Sequence, residues 1–200
     1  MKTLLHDIAI SLRATIALGI IVCGLYPVVV WLVAQGVFPY QANGSLIVVQ
    51  GTKTGSAIIG QKFVGEKYFH PRPSAAGEGY DAADSGGANL GPLSGELVQT
   101  VAERIARYRR ENGLSDGTLV PADAVTASAS GLDPHISPAN AELQGARVAR
   151  ARGLPEESVR QVIAGHTEGR VFGIFGEPRV NILALNLALD KTNTNVRTNK

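Results

Sequence analysis

The fold is decided by residues 14–34, which read ATIALGIIVCGLYPVVVWLVA and contain no charged side chain. At about 1.5 Å of rise per residue, a helix of this length reaches about 31 Å, close to the roughly 30 Å hydrocarbon core of a bilayer. Its Ile, Leu and Val residues all favour insertion, and no polar stripe marks a face that would pack on a soluble core. The stretch therefore predicts a membrane-spanning helix over residues 14–35.

The charges around this span predict its orientation. Lys2 and Arg13 precede it, whereas no Lys or Arg follows it until Lys53. The positive-inside rule then places residues 1–13 in the cytoplasm and the domain over residues 36–190 outside it, in the periplasm. A cleaved signal peptide is the alternative, but its apolar region is usually about 7 to 15 residues long and ends in a small-x-small site, which the sequence LVA at the end of this span fits poorly.

Small residues and a proline inside the span are candidates for helix packing. Gly19 and Cys23 are four residues apart, a weak form of the small-xxx-small interface pattern. Gly24 offers a place for close approach, and Pro27 removes a backbone hydrogen bond and predicts a kink. The alternative is that these small residues occur together by chance.

Composition limits what the rest of the chain can be. One span in 200 residues leaves about 160 residues, enough for a single domain with its own core. The net charge of the whole chain is +2, so the sequence lacks the basic excess of a nucleic-acid-binding protein. The single cysteine, Cys23, lies in the span, which leaves the outer domain without a disulfide or a thiolate metal site. With 23 glycines and few aromatic residues, we expect a loop-rich α+β domain.

The first part of this domain contains two short apolar runs and a long irregular segment. Residues 46–50 (LIVVQ) and 56–59 (SAII) predict two buried strands joined by a turn over residues 51–55. Residues 61–95 show little periodicity and are rich in Gly, Pro, Ser and Asp. Because this segment also contains aromatic anchors, it predicts an ordered loop that contacts a partner; a structural loop packed on its own domain is the alternative.

Start and stop signals predict three helices after the long loop, and an apolar run that fits both the helix and the strand period is interpreted as a fourth. Ser94 and Ser137 can cap the first two, and a glycine follows each of them. The apolar run at residues 171–175 (VFGIF) predicts a strand, and the polar residues 191–200 predict a flexible tail. The predicted helices cover residues 95–112, 138–152, 155–165 and 181–189.

The sequence offers little support for catalysis or metal binding. None of the three histidines that follow the span has another His or Cys at the spacing of a helical metal site. Ser130, Asp133 and His135 lack a nucleophile elbow, so they are a poor hydrolytic triad. Residues 55–62 imitate a phosphate-binding loop, but the lysine falls one place late and no Ser or Thr follows it. The three histidines are His70, His135 and His166.

Seven phrases follow the span in a fixed order, and together they resemble a known family. They read IIGQKF, YFHPRPSA, SGGANLGP, VTASASGLDPHISPANA, RVARARGL, HTEGR and GEPRVNILALNLALD. The chain resembles the C chain of the bacterial Kdp potassium-transporting P-type ATPase over about residues 16–190. None of these phrases is a catalytic motif, so the resemblance depends on their number and order.

This resemblance implies a non-catalytic accessory subunit of a high-affinity, ATP-driven potassium uptake pump in the bacterial inner membrane, with the catalytic centre on another chain. The implied partners are the potassium-translocating subunit, the ATP-hydrolysing P-type subunit and a small fourth membrane subunit. Potassium is the transported ion, and ATP would act through the complex rather than as a bound cofactor of this chain. The family is described as supporting assembly and as raising the affinity of the hydrolysing subunit for ATP, as a catalytic chaperone.

The predicted topology changes how such an effect could arise. ATP is cytoplasmic and the predicted domain is not, so an effect on nucleotide affinity would pass through the membrane helix as a coupling free energy. The domain itself would cover or stabilise the entrance of the potassium-translocating subunit. The competing function is a membrane-tethered periplasmic enzyme or solute-binding domain, which would fold and act alone.

Ten polar or aromatic residues within these phrases are candidates for contact with a partner or with nucleotide. Their alternative role is to hold glycine-rich turns by hydrogen bonds. The candidates are Gln61, Tyr68, His70, Arg72, Asn89, Asp133, His135, His166, Glu168 and Arg170.

Overall fold

The computed structural model describes the backbone of residues 2–198 and the side chains of residues 3–191. The chain divides into two units, Met1–Leu46 and Ile47–Lys200. The first unit contains one long apolar helix, and the second is a mixed domain of helices and short strands joined by long loops. The predicted architecture, a single N-terminal helix followed by a loop-rich α+β domain, is confirmed.

The helix of the first unit is longer than the predicted span. It consists of α1 (Lys2–Gly19), a π-helical turn (Ile20–Leu25) and α2 (Tyr26–Val37). The apolar part, Thr3–Val37, has 35 residues and is about 52 Å long at the usual rise. By length and composition it can cross a bilayer, and no side chain of residues 20–37 is buried.

The proline of the span is accommodated by the π-helical turn. Pro27 lies in the first turn of α2, directly after Ile20–Leu25. Proline lacks an N–H group and its ring crowds the preceding turn, so a wider turn at this place lets the helix continue. A short helix, α3 (Pro39–Ala42), follows α2.

A hairpin of β1 (Leu46–Val49) and β2 (Thr52–Ser56) follows, of which all residues but Leu46 belong to the second unit. Gln50 and Gly51 both have positive φ, 50° and 79°, as a two-residue type I′ turn requires. The predicted second strand at residues 56–59 was therefore wrong. β2 begins four residues earlier, because two residues complete the turn, and its first three residues are exposed and give no apolar signal.

The long loop is part of the domain core. Residues 57–94 contain neither helix nor strand, which confirms the irregular segment predicted from residue 61 onward, yet Phe69 and Ala76 are fully buried. Phe69 belongs to the main hydrophobic cluster. For this part of the loop, packing on its own domain is confirmed.

The four helices predicted after the loop are confirmed, and the caps explain their bounds. The Ser94 hydroxyl accepts a hydrogen bond from the Leu97 amide, and the Ser137 hydroxyl accepts one from the Asn140 amide. Gly113 and Gly153 end their helices at φ 66°, a conformation that glycine adopts without a Cβ penalty. The helices are α4 (Gly95–Asn112), α5 (Ala122–Val125), α6 (Pro138–Arg152), α7 (Glu156–Gly165) and α8 (Ile182–Thr198), of which α5 is an addition to the prediction.

A small antiparallel sheet completes the domain. Its strands are β3 (His135–Ile136), β4 (Thr167–Glu168) and β5 (Arg179–Asn181). β5 is central, so the sheet order is β3-β5-β4. The core lies where α6, α7 and α8 pack together beside β5, and its members are Phe69, Ile136, Ala141, Val148, Ala149, Val159, Ile163, Val180, Ile182, Leu185 and Leu189.

The strand predicted at residues 171–175 was wrong. Phe172 and Gly173 have φ of 53° and 74°, and Val171 pairs only with Phe175 as an isolated bridge. The run is therefore the tip of the connection between β4 and β5. The flexible tail predicted for residues 191–200 stays a prediction, because the side chains beyond Lys191 lie outside the described residues.

Candidate functional site

Polar side chains on the buried face of α6 organise the candidate site. Asn140, Gln144 and Arg147 follow a helical spacing of four and three residues, and all three are buried. The Gln144 amide accepts a hydrogen bond from His70 N at 2.7 Å and donates one to His70 O at 3.0 Å. The helix thus fixes the backbone of the long loop with a side-chain amide.

A second amide, from α8, holds the neighbouring loop residue in the same way. Asn186 accepts a hydrogen bond from Phe69 N at 2.9 Å and donates one to Phe69 O at 3.1 Å. We call Gln144 and Asn186 the amide clamp. It satisfies both backbone groups of two consecutive residues that lie outside any strand, which a buried loop requires.

Arg147 extends this attachment along the loop. Its guanidinium donates to Glu66 O at 2.6 Å, to Tyr68 O at 2.9 Å and to the side chains of Asn112 and Gln144. The side chain is buried, and these acceptors are all uncharged. Burial lowers the pKa of Arg147 although nearby carboxylates oppose this, so the cation depends on its hydrogen bonds for stability.

The loop and α4 enclose a cleft of about 580 Å³, which we call the basic cleft. Four cationic side chains line it and outnumber its two carboxylates. Aromatic rings and His70 complete the walls. The charged residues of the basic cleft are Lys62, Arg72, Arg104, Arg107, Glu78 and Glu111.

His70 lies in the wall of the basic cleft as a neutral side chain near neutral pH. Burial lowers its pKa, and the neighbouring Arg147 cation lowers it further. Its Nε2 is 3.0 Å from Gly65 O, and its Nδ1 is 3.9 Å from the Glu111 carboxylate. The ring is therefore held between the loop backbone and α4.

Three of the predicted site residues meet around Arg72, which lines the basic cleft. Arg72 Nη1 donates to Asp133 Oδ2 at 2.9 Å, and His135 Nδ1 is 3.4 Å from Asp133 Oδ1. Burial alone would raise the pKa of Asp133, but hydrogen bonds from His135 and Arg72 outweigh it and lower the pKa to about 2. Asp133 is ionised at neutral pH and ties the loop to the residues that precede β3.

One atom of this group remains without a partner among the described residues. Arg72 Nε is buried and makes no hydrogen bond there, while Arg72 O accepts one from the Tyr80 hydroxyl. Burial raises the pKa of Tyr80, so the phenol stays protonated and can donate. The Arg72 guanidinium thus uses Nη1 for the ion pair with Asp133 and keeps Nε buried.

Two further predicted residues lie in the wall of a neighbouring cavity of about 540 Å³. Gln61 donates to Thr54 O at 3.3 Å, which joins the loop to β2. The Tyr68 ring packs against Phe63, with ring centroids 5.6 Å apart, and lies beneath Lys67 and Arg152. These contacts stabilise the domain itself. They therefore fit the alternative interpretation of the candidate residues, which is a structural role rather than contact with a partner.

The other predicted residues lie outside both of these cavities. His166 Nδ1 is 2.9 Å from Val162 O at the end of α7. Glu168 pairs with Arg179, and Arg170 pairs with Glu177, beside the tip at residues 171–175. Asn89 is exposed in the long loop at φ 51°.

The packing candidates of the membrane helix lie along one shallow concavity. Gly19, Cys23 and Gly24 line it together with larger apolar residues, and Pro27 follows one turn later. A Cβ added at either glycine would meet no atom within 4 Å in this chain. Among the residues that the structure describes, no group of three or more His, Cys, Asp or Glu side chains is placed to hold a metal ion.

Sequence reasoning missed the amide clamp and Arg147. A signal for them was present, because Asn186 interrupts the apolar run NILALNLAL and the polar residues of α6 follow a helical spacing. Their loop partners lie more than 70 residues away in the sequence. That distance hides the pairing from local patterns.

Relatives of known type match nearly the whole chain. A family described as K+-transporting ATPase, c chain, matches residues 8–191. Proteins named potassium-transporting ATPase KdpC subunit are 50% identical over 191 residues in Koribacter versatilis, covering 96% of this chain and 95% of that one, and 55% identical over 181 residues in Nitratidesulfovibrio vulgaris, covering 90% and 91%. The relative from Mycobacterium tuberculosis is 52% identical over 190 residues, covering 95% and 98%.

The chain belongs to the KdpC family. It is thereby related to subunits of a potassium-transporting ATPase, as the recognised phrases predicted. The structure gives several of these phrases a place in the fold. In this KdpC family member, YFHPRPSA is the loop held by the amide clamp, and HTEGR and GEPRVN form β4, β5 and the ends of their connection.

Proposed function

We propose that the chain is a non-catalytic accessory subunit of a high-affinity, ATP-driven potassium uptake pump of the bacterial inner membrane. The observation that carries this proposal is the KdpC family match over residues 8–191. Its partners are the potassium-translocating subunit, the P-type ATP-hydrolysing subunit and a small fourth membrane subunit. Potassium is the ion transported, and the chain supports assembly of the pump.

The membrane helix anchors the domain on the extracytoplasmic side. Support comes from Lys2 and Arg13 before the apolar stretch and from the lack of a basic residue between that stretch and Lys53. ATP is bound on the opposite side of the membrane, so a rise in nucleotide affinity reaches the hydrolysing subunit as a coupling free energy through the helix.

The basic cleft is the part of the domain that we assign to partner contact. Support comes from its four cationic side chains, Lys62, Arg72, Arg104 and Arg107, which outnumber its two carboxylates. An excess of one sign of charge in a cleft favours a partner surface of the opposite charge. The amide clamp and Arg147 keep the loop that carries Arg72 in place before the partner arrives.

Deletion of the domain after Phe38 tests this function. The helix alone would remain, and we expect the purified pump to lose assembly, to take up potassium with lower affinity and to need more ATP for half-maximal hydrolysis. The matched control is the full chain with Leu119→Ser, a change at a side chain that is 90% exposed. If the truncated chain supports assembly, potassium affinity and ATP affinity as the full chain does, the proposed function is wrong.

A further inference from the structure

The connection between β4 and β5 exposes an unusual apolar cluster. Phe172 is 88% exposed, Ile174 71%, Phe175 66% and Val171 53%. Four large apolar side chains within five residues form a contiguous patch, whereas single exposed apolar residues are ordinary on protein surfaces. We call residues 171–175 the apolar tip.

The apolar tip has a fixed shape. Val171 N donates to Phe175 O at 2.9 Å, Phe175 N donates to Val171 O at 3.0 Å, and Gly173 N donates to Arg170 O. Phe172 has φ of 53°, a conformation that is costly for a bulky side chain. The backbone therefore presents Phe172 outward in a preorganised turn, which reduces the entropy lost on binding.

Ion pairs surround the base of the apolar tip and leave it neutral. Arg170 pairs with Glu177 at 2.8 Å, and Arg179 pairs with Glu168 at 2.9 Å. Surfaces that bind anionic lipid carry free Lys and Arg side chains, but each arginine here already has its carboxylate. An apolar centre with a polar rim of no net charge is instead typical of a protein interface.

The size of the apolar tip also limits its occupant. Its two phenylalanines can bury about 300–500 Å², whereas a stable independent interface buries about 800 Å² on each partner. Two copies of this chain joined by their tips alone would fall short of that area. A subunit already held in a complex by another contact can use a small anchor, because tethering raises the effective concentration.

We propose that the apolar tip inserts into an uncharged, apolar pocket on another subunit of the potassium pump. The proposal rests on the proposed function, since the occupant belongs to the assembled complex. Phe172 is the anchor in the pocket, and the two ion pairs form the rim.

Photocrosslinking in the assembled pump tests the occupant. A photoreactive amino acid replaces Phe172 in one preparation and the equally exposed Leu119 in a control preparation. We expect position 172 to form a covalent adduct with one other pump subunit and position 119 to form none. Adducts only with lipid, only with a second copy of this chain, or in equal yield at both positions would overturn the proposal, as would the absence of any adduct at position 172.

Substitution of the anchor tests its contribution. Phe172→Gly relieves the strained φ, so we expect an unchanged or raised thermal midpoint of the full chain, while retention of the chain on the purified pump falls at least about tenfold. Phe172→Leu keeps an apolar anchor and should restore most of the retention. If the glycine variant and the wild type are retained equally, the role proposed for the apolar tip is wrong but the proposed function still holds. If the wild-type chain does not assemble with the pump, the proposed function is wrong as well.

Discussion

At the scale of single residues, the ionised carboxylate of Asp133 contributes to the stability of the fold. Its pKa in the folded chain is about 2, against 3.8 for an unperturbed carboxyl, which corresponds to about 2 kcal/mol of stabilisation. Because the pKa of Asp133 is lower in the folded chain than in the unfolded chain, its ionisation stabilises the fold fully above about pH 4. This contribution is lost as the pH falls from about 4 to 2. The side chain is 29% exposed, so screening by solvent is limited.

We expect Asp133→Asn to lower the free energy of unfolding by about 2 kcal/mol at pH 7 and by much less at pH 2. Denaturant titration of the full chain in detergent at both pH values measures this difference. Asp116→Asn, at an exposed carboxyl, is the control. An equal loss for Asp133→Asn at both pH values would show that its charge does not stabilise the fold.

Arg147 gives a second prediction at this scale. Arg147→Met leaves the carbonyls of Glu66 and Tyr68 and the side-chain oxygens of Asn112 and Gln144 without this donor. Since buried unsatisfied acceptors each cost about 1–3 kcal/mol, we expect a loss of about 3 kcal/mol or more. Hydrogen exchange of residues 66–70 should also become faster. Arg150→Met, on the exposed face of the same helix, should change neither quantity, and a similar result for both variants would contradict this role for Arg147.

Sequence reasoning reached part of this residue-scale picture. Arg72, Asp133 and His135 were all named as candidates, and the structure brings them together. Nothing in the local sequence shows that Asp133 pairs with an arginine 61 residues earlier. The chemistry of a residue could be predicted, but its partner depends on the tertiary fold.

At the scale of elements, the ends of the helices are the features that the neighbouring sequence determines most directly. Gly153 ends α6 at φ 66° with no atom near its missing Cβ, so Gly153→Ala should cost about 1–2 kcal/mol through backbone strain alone. Gly165 is helical at the end of α7 and has equally open surroundings. Gly165→Ala should therefore be neutral or stabilising. Thermal unfolding of the two variants tests the difference, and equal effects would contradict it.

Strands were harder to predict than helices for a physical reason. Helix caps depend on neighbouring residues, whereas the strands here are two to five residues long and are stabilised by distant partners. The apolar run at residues 171–175 has the composition of a buried strand, but it forms an exposed tip. Apolar composition indicates burial, and in a subunit of a complex that burial can involve another chain.

At the scale of the whole molecule, the long apolar helix is the part of the fold that sequence reasoning described most completely. Its length, lack of charge and flanking basic residues are all local properties. They predict the anchor and the orientation without knowledge of the domain fold. The functional assignment depends on the KdpC family match, because the geometry of the basic cleft alone fits more than one kind of partner.

The most direct test of the account is the side of the membrane on which the domain lies. In a Cys23→Ser background, Thr3→Cys and Leu119→Cys provide single thiols, one near the start of α1 and one at an exposed position of the domain. A membrane-impermeant thiol reagent is applied to spheroplasts before and after lysis. We expect Leu119→Cys to react in intact spheroplasts and Thr3→Cys to react only after lysis. Reaction of Thr3→Cys alone in intact spheroplasts, with Leu119→Cys protected until lysis, would contradict the account.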